Sequence, residues 1–360
     1  MKKKIVLIAS CISMTLAIAA HGQSVDAPMY SKFLALPVGA RSAAMGGTRL
    51  ATDVDANAGF SNGAKYSDLS DDVNGDGGDQ DLSSISYMPW NGAYLTTISY
   101  AHVDSDNGNV FVGLQMFNGG NQNAMVQNST GSYGWTAVLG HSEIIGKNLY
   151  FSGSLKFIES AVPQKGDGAT GAADASFLYD GRDEQYIGPM IAFAITNFGP
   201  PISYTYKLAQ GSKEFMPANV GIGFSETFNP ALNRNKVTLA VDINKPLYPN
   251  RPITSADSAR YQSTGYIQSM LHSSNRITAS AGLEYNFYIS HRDENVYSIR
   301  GGFSEDNGAI GYYSGLSVGA GVKIRNLHID ASYFLNPNFA DNSSYQRLFQ
   351  LSFSTTFKKF

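Results

Sequence analysis

The chain has 360 residues, enough for one large domain or two of ordinary size. Its formal charge is −3, from 26 basic and 29 acidic residues, and no basic cluster suggests a nucleic-acid partner. The single cysteine, Cys11, excludes a disulfide within the chain and a cysteine-rich metal site.

The first 22 residues have the features of a secretory signal peptide. Three lysines at 2–4 precede an apolar run at 5–20, and small residues flank His21 before the predicted cleavage at Gln23. The run is too short to span a bilayer stably. Cleavage would remove Cys11 and leave 23 basic and 29 acidic residues, a formal charge of −6. The alternative is a buried N-terminal helix of the mature protein.

Residues 23–81 form a separate predicted segment, with helix-permissive residues that end at a glycine pair. This pattern predicts a short helix and a stop, followed by loop. Before the first strand of a barrel, such a segment can fold into the lumen as a plug. The predicted plug or gate residues are Phe33, Leu34, Arg41, Met45, Gly46 and Gly47.

An acidic stretch at 71–81 resembles the first half of a calcium loop. Asp72, Asn74 and Asp76 occur at every second position, and their side-chain oxygens are of the kind that bind a hard cation. Ser83 stands where such a loop carries its bidentate Glu, so we favour a solvated acidic loop. Calcium is the only candidate cofactor.

From residue 82 to 360 the dominant pattern has period two, as in Leu316, Val318, Ala320 and Val322 with small residues between them. Turn signals divide this region into about fourteen strands. The predicted spans are 82–88, 94–103, 109–117, 132–141, 148–159, 170–180, 187–197, 215–227, 236–245, 275–288, 296–304, 314–325, 326–335 and 345–357.

Alternation alone fits both a soluble sandwich and a membrane barrel. The lengths of the connections favour the barrel. When the predicted strands are numbered in chain order, the connections from an even to an odd strand are short. Those from an odd to an even strand are mostly long, apart from the first hairpin. The last predicted strand alternates Phe349, Leu351, Phe353 and Phe357 with polar residues. The 21 Tyr and 20 Phe suit the aromatic girdles of a barrel, with core packing as the alternative. We therefore predict an all-β chain: a transmembrane antiparallel outer-membrane barrel with a short N-terminal plug.

The predicted registers point five charged residues inward and make the lumen polar: Lys156, Asp242, Glu284, Lys323 and Asp330. A pair such as Asp330 and Lys323 suggests a structural charge network. The six His are scattered, and no nucleophile elbow, zinc-protease or phosphate-loop motif occurs, so no enzyme activity is expected.

The predicted connection at 246–274 is longer than ordinary connections, which indicates either a functional or a disordered loop. Prolines and aromatic residues suit a docking surface. Trp90 is grouped with it, although an interfacial girdle role is equally consistent. The predicted partner-binding residues are Trp90, Pro246, Tyr248, Pro249, Tyr261, Met270 and Leu271.

Five segments carry a resemblance to a known family: Pro37–Thr48, Ser86–Trp90, Thr196–Gly199, Phe215–Gly223 and Val241–Leu247. In order and spacing they resemble the PorV (LptO) family of type IX secretion, within the FadL-like outer-membrane barrels. The related PorQ branch shares the first segment, so the last two decide the branch. FadL-like proteins usually have Asn-Pro-Ala after the first segment, and this chain has Asn-Gly-Ala at 62–64.

The resemblance implies a fourteen-stranded barrel in outer-membrane lipid, with a plugged or narrow lumen, that acts as a secretion shuttle. Its implied partners are the large type IX translocon barrel, the C-terminal domains of cargo proteins and the sortase-type attachment complex at the cell surface. The alternative is a FadL-type transporter of hydrophobic small molecules, which the predicted polar lumen disfavours. A third possibility is a barrel that only stabilises a larger complex.

Overall fold

The structure is a computed structural model that describes residues 30–71, 79–90, 93–119, 132–162, 166–205, 213–230, 234–247, 277–288, 295–305, 314–335 and 347–358. The predicted signal peptide lies outside these residues. No helix within the described part of the chain is both long and apolar enough to cross a bilayer.

The described residues form short helices followed by strands. In chain order these are a 3-10 helix at Tyr30–Ala35, α1 at Ala40–Ala44, a 3-10 helix at Ala58–Phe60, α2 at Lys65–Ser70, β1 at Gln80–Trp90, β2 at Ala93–Val103, β3 at Asn109–Asn118, β4 at Tyr133–Gly146, β5 at Leu149–Val162, β6 at Gly166–Asp180, β7 at Gly188–Phe198, β8 at Ile202–Tyr204, β9 at Lys213–Glu214, β10 at Asn219–Phe228, β11 at Lys236–Pro246, β12 at Thr278–Phe287, β13 at Val296–Glu305, β14 at Gly315–Ile324, β15 at Leu327–Leu335 and β16 at Arg347–Lys358.

Fourteen of the strands close into an antiparallel barrel. β1 to β7 pair in sequence order, β7 pairs with β10, and β10 to β16 again pair in order. β16 pairs with β1, with Ile85 opposite Phe353, and this pairing closes the ring. The short strand β8 pairs with the first part of β6, and β9 pairs with β8. The predicted fourteen-stranded barrel is therefore confirmed.

The side chains alternate across the barrel wall in the sense opposite to a soluble sandwich. Leu155 is 69% exposed on the outside, and Lys156 next to it is 6% exposed on the inside. Large apolar residues such as Ile222 and Val318 also face outward, whereas Ser, Thr and charged residues face the lumen. An outer surface of this kind is stable in lipid.

The two ends of the barrel differ in their connections. β1 begins and β16 ends at the same end of the barrel, and the tight connections 147–148 and 325–326 lie there as well. We call this the turn end. The opposite end, here called the loop end, carries the long connections 199–218 and 247–277. This asymmetry matches an outer-membrane barrel with its turn end in the periplasm.

Three local features differ from the sequence expectations. The segment 198–214, predicted as loop, contains β8 and β9. β4 continues through the predicted connection at 142–147, and a left-handed Asn148 makes a much tighter turn. The stretch after the glycine pair, expected to be loop, contains a 3-10 helix and α2.

Candidate functional site

Residues 30–71, called the plug from here on, lie inside the lumen and contact the wall along its length. At the loop end, Phe33 is fully buried and stacks on Phe117 of β3, with the ring centroids 5.6 Å apart. A Cβ on Gly134 of β4 would lie 2.7 Å from the Phe33 ring, so the glycine makes room for it. Leu34 and Leu36 are buried in the same cluster.

Most wall residues around these plug residues are apolar. We call the following set of wall residues the apolar chamber: Met88, Leu95, Phe117, Ile158, Phe334 and Leu348 from the strands, and Ile202, Tyr204 and Met216 from the connection between β7 and β10. The five predicted charged residues do face the lumen, but part of its loop-end half, the apolar chamber, is lined by apolar side chains. The expectation of a polar lumen therefore does not hold for the apolar chamber.

The middle of the plug approaches the wall backbone directly. The Gly46 N–H donates to Ser317 Oγ at 2.8 Å, and the Ala40 N–H donates to Ser352 Oγ at 2.7 Å. Gly46 has φ +71°, and a Cβ there would lie 2.4 Å from the Phe303 carbonyl oxygen. Both the backbone conformation and the close contact require glycine at this position.

A buried ionic cluster around Arg41 fixes α1 to the wall. Arg41 donates to both carboxylate oxygens of Glu284, at 2.9 and 2.8 Å, and to the Asp53 carbonyl oxygen at 2.9 Å. Arg300 also donates to Glu284, at 2.5 Å, and to Asp330 at 2.6 Å. Burial lowers the pKa of Arg41, but the charge of Glu284, the hydrogen bonds to it and the charges of Asp53 and Asp55 together outweigh burial, so the net pKa is raised. The guanidinium therefore stays charged.

A second ionic cluster lies at the turn end, around Arg182 in the connection between β6 and β7. Its guanidinium, only 2% exposed, bonds Asp68 at 2.9 Å and Asp180 at 2.6 Å, and it also contacts Asp53. One buried cation thus faces three carboxylates. Burial raises the pKa of Asp68 well above its ordinary value although the Arg182 charge opposes the shift.

Asp242 of β11 holds the plug segment that follows α1. Its Oδ2 accepts the backbone N–H groups of Arg49 at 2.7 Å and Leu50 at 3.1 Å. Lys65 Nζ donates to the Arg49 carbonyl at 2.9 Å, and burial lowers the pKa of Lys65. Asn62 donates to the Leu50 carbonyl at 2.7 Å. This segment of the plug is therefore tied both to the wall and to the rest of the plug.

Two of the cavities among the described residues lie beside the plug. The turn-end cavity, about 260 Å³, has a mixed lining that includes the charged residues Lys236 and Lys323 and the imidazole of His328. The loop-end cavity, about 70 Å³, lies between the plug and the loop-end residues of β7 and of β10 to β13. Asp330 bonds Arg300 at 2.6 Å, so the charge pairing differs from the expected one with Lys323.

The structure places all six predicted plug residues in the lumen; their role as a gate remains a prediction. Pro246 is buried at the end of β11 and lines the loop-end cavity. Trp90 ends β1, and its side chain lies outside the described residues. The other expected binding and calcium residues also lie outside them: Asp72, Asn74, Asp76, Tyr248, Pro249, Tyr261, Met270 and Leu271. Among the described residues, no group of three or more His and acidic side chains could hold a metal ion.

Sequence reasoning missed Arg182 and Arg300 as anchor residues. Arg300 lies in a strand between apolar positions, and its inward direction followed from the period-two pattern. Its partner Glu284 is 16 residues away and Arg41 is 243 residues from Glu284, so the spacing carried no signal of either contact.

Comparison with known proteins identifies the fold. No family model matches the chain, and no curated protein matches it. The toluene transporter TodX of Pseudomonas putida superposes with a TM-score of 0.50 at 13% identity, covering 93% of this chain and 98% of TodX. The toluene transporter TbuX of Ralstonia pickettii gives 0.50 at 12% identity, covering 90% and 98%. A mutant form of the TodX monoaromatic hydrocarbon channel gives 0.51 at 13% identity, covering 89% and 97%.

The chain has the fold of these channels. With its closed ring of strands and outward apolar band, the protein is an outer-membrane β-barrel. At these identities the likeness establishes the fold alone.

Proposed function

We propose that this protein is a gated outer-membrane channel for small hydrophobic molecules, with the plug as its gate. The observation that carries the proposal is the apolar chamber, in which buried Phe33 and Leu34 occupy the space that an apolar ligand would fill. Ligand pockets of this kind are concave and mostly apolar. The neighbours of the same fold that are described as toluene transporters support the proposal.

The gate has two parts, the apolar chamber and the ionic clusters that hold the plug. An apolar ligand at the loop end competes with Phe33 and Leu34 for the chamber, because the ligand and these side chains are all stabilised by leaving water. The plug then has to leave the Arg41 and Arg182 clusters for a path to open toward the turn end. Ligand binding in the chamber shifts the equilibrium between the docked and the released plug. The shift equals the difference between the ligand's binding free energies for these two states.

Uptake by intact cells tests the proposal. A Gram-negative strain without endogenous channels of this fold would express the wild type or Leu95→Asn, which places a polar amide in the chamber. Wild-type cells should take up labelled toluene faster than cells with an empty vector, and the Leu95→Asn cells should not. Equal uptake in wild-type and empty-vector cells would refute the proposal. The outward-facing Leu155→Asn is the matched control.

The second candidate function is a non-enzymatic shuttle of type IX secretion. It is favoured by a different observation: four of the five segments of the family resemblance contribute to the lining of the loop-end cavity. As a shuttle, the barrel would bind the large translocon barrel, receive cargo C-terminal domains and pass them to the surface attachment complex. Calcium binding at Asp72, Asn74 and Asp76 would stabilise the adjoining loop.

A pulldown in mild detergent distinguishes this candidate. Recovery of a very large barrel together with secreted proteins that share a C-terminal domain would support the shuttle. Recovery of the barrel alone with a bound apolar molecule would refute it and favour the channel.

A further inference from the structure

The two short strands β8 and β9, called the flap from here on, lie in the connection between β7 and β10 at the loop end of the barrel. We propose that the flap is a lid on the loop-end side of the apolar chamber, and that Glu214 of β9 couples its opening to release of the plug. This role of the flap rests on the channel proposal, because it concerns how a ligand from outside enters the chamber. It adds the contact that regulates entry.

The inner face of the flap forms part of the apolar chamber. Ile202 is fully buried and Tyr204 is 5% exposed, whereas Ser203 between them is exposed. β8 pairs with β6 of the wall, with Tyr204 opposite Gly168. A Cβ on Gly168 would lie 2.6 Å from Ile202 Cγ2, so the glycine allows β8 to lie this close to the wall. Opening of the flap would therefore expose these apolar side chains and the chamber behind them.

A buried carboxylate joins the flap to the plug. Glu214 is 6% exposed, and its Oε1 accepts the backbone N–H and the hydroxyl of Ser31, both at 2.8 Å. We call this contact the clasp. Glu214 Oε2 accepts the Tyr204 hydroxyl at 3.0 Å. Ser31 lies in the same 3-10 helix as Phe33, so the closed flap holds Phe33 in the chamber where a ligand would bind.

The flap is attached to the wall by few backbone hydrogen bonds. Among the described residues, β8 pairs with β6 at two residue pairs and β9 pairs with β8 at two, whereas β5 and β6 pair along their whole length. Thr205 adds two bonds to the Asp167 carbonyl. Segments with few such bonds open locally at a lower free energy than the rest of a fold. We therefore expect the flap to open while the barrel stays closed.

The clasp makes flap opening and plug release cooperative. If the plug left alone, the buried Glu214 carboxylate would lose both Ser31 donors, and a buried charge that loses its hydrogen bonds is strongly destabilised. Flap opening removes this cost, because it brings the carboxylate into water. By linkage, an open flap in turn favours plug release. An apolar ligand that displaces Ile202 and Tyr204 would therefore loosen the plug before it reaches Phe33.

Thiol labelling of the purified full chain in detergent tests this coupling. Two reporters are placed in separate Cys11→Ser chains: Leu95→Cys in the chamber wall and Ser42→Cys in α1 of the plug. Glu214→Ala should raise the labelling rate of both reporters about 10- to 100-fold, the range for lost hydrogen bonds to a charged group. Glu214→Gln keeps an oxygen acceptor for Ser31 and should raise both rates much less.

A second variant removes the clasp from the plug side. Ser31→Pro deletes both donors to Glu214 at a position in the first helical turn, where proline is tolerated. It should accelerate both reporters as Glu214→Ala does, and Glu214→Ala should add little in the Ser31→Pro background. The matched control is Glu159→Ala, because Glu159 lies at the same end on β5 and faces outward between buried neighbours. This control should leave both rates unchanged.

Three outcomes would each overturn the proposal. They are equal rates in Glu214→Ala and Glu159→Ala, acceleration of one reporter without the other, and full additivity of Glu214→Ala with Ser31→Pro. Labelling requires no ligand, whereas toluene uptake reports on the channel itself, so failure of the coupling and failure of the channel proposal are distinguishable.

Discussion

Replacing Arg41 by Met should release the plug from the barrel wall without unfolding the barrel. Arg41 makes two charged hydrogen bonds to Glu284, which is 1% exposed, and one to the Asp53 carbonyl. Breaking a buried ion pair from one side costs about 3–5 kcal/mol. Glu284 keeps Arg300 as a partner, so we expect the lower end, about 3 kcal/mol, or roughly a 150-fold shift in plug docking.

The shift can be read from the labelling rate of a buried thiol. The reporter is Ser42→Cys, placed in the buried helix α1, in a chain that also carries Cys11→Ser. Arg41→Met should raise the labelling rate by up to about two orders of magnitude if labelling follows plug opening. In a Glu284→Gln background the same substitution should cost much less, because no buried carboxylate is left with a missing partner. Equal acceleration in both backgrounds, or none in either, would refute the ionic-anchor reasoning.

Three further predictions concern the plug. Gly46→Ala should raise the thiol labelling rate far more than Gly47→Ala. Both glycines have a positive φ, which strains an alanine by about 1–2 kcal/mol. Only at Gly46 would the new Cβ lie within 3 Å of the wall backbone. Phe33→Ala should weaken docking by about 3–5 kcal/mol, seen as a lower urea midpoint of plug release, whereas the outward-facing Phe349→Ala should leave that midpoint unchanged. Burial raises the pKa of Asp68 in the folded protein above the ordinary pKa of an aspartate. Asp68 therefore stabilises the fold fully at pH values below the ordinary pKa, and this stabilisation is lost as the pH rises through the raised pKa. Melting temperatures measured from pH 4 to 8 should therefore depend less on pH in Asp68→Asn, and an unchanged pH profile would contradict the assignment.

Much of the barrel could be predicted because its signal is local. The strand at Leu327–Leu335 alternates residue by residue, and its tight connection to Ile324 carries a turn signal. β8 and β9, of three and two residues, are too short for any period to show. The α2 helix has no capping side-chain bond and is buried against strands, so its stability comes from contacts that the local sequence does not reveal.

The lumen was harder to predict, because its contacts join distant parts of the chain. The inward direction of Asp242 followed from alternation, but its two acceptor bonds to the plug backbone span more than 190 residues. The apolar chamber was missed for a similar reason. Residues such as Leu95 and Phe334 look like any apolar strand position, and only the closed barrel shows that they face inward together with Phe33.

In the proposed channel the docked plug closes the lumen, and planar-bilayer conductance of the full chain measures this closure. Wild-type protein should show no channel events in buffer, and events should appear reversibly when urea releases the plug but leaves the barrel folded. Arg41→Met should reach that state at a lower urea concentration. Steady conductance of the wild type in buffer would refute closure by the plug, because it would mean that the lumen is open while the plug is docked.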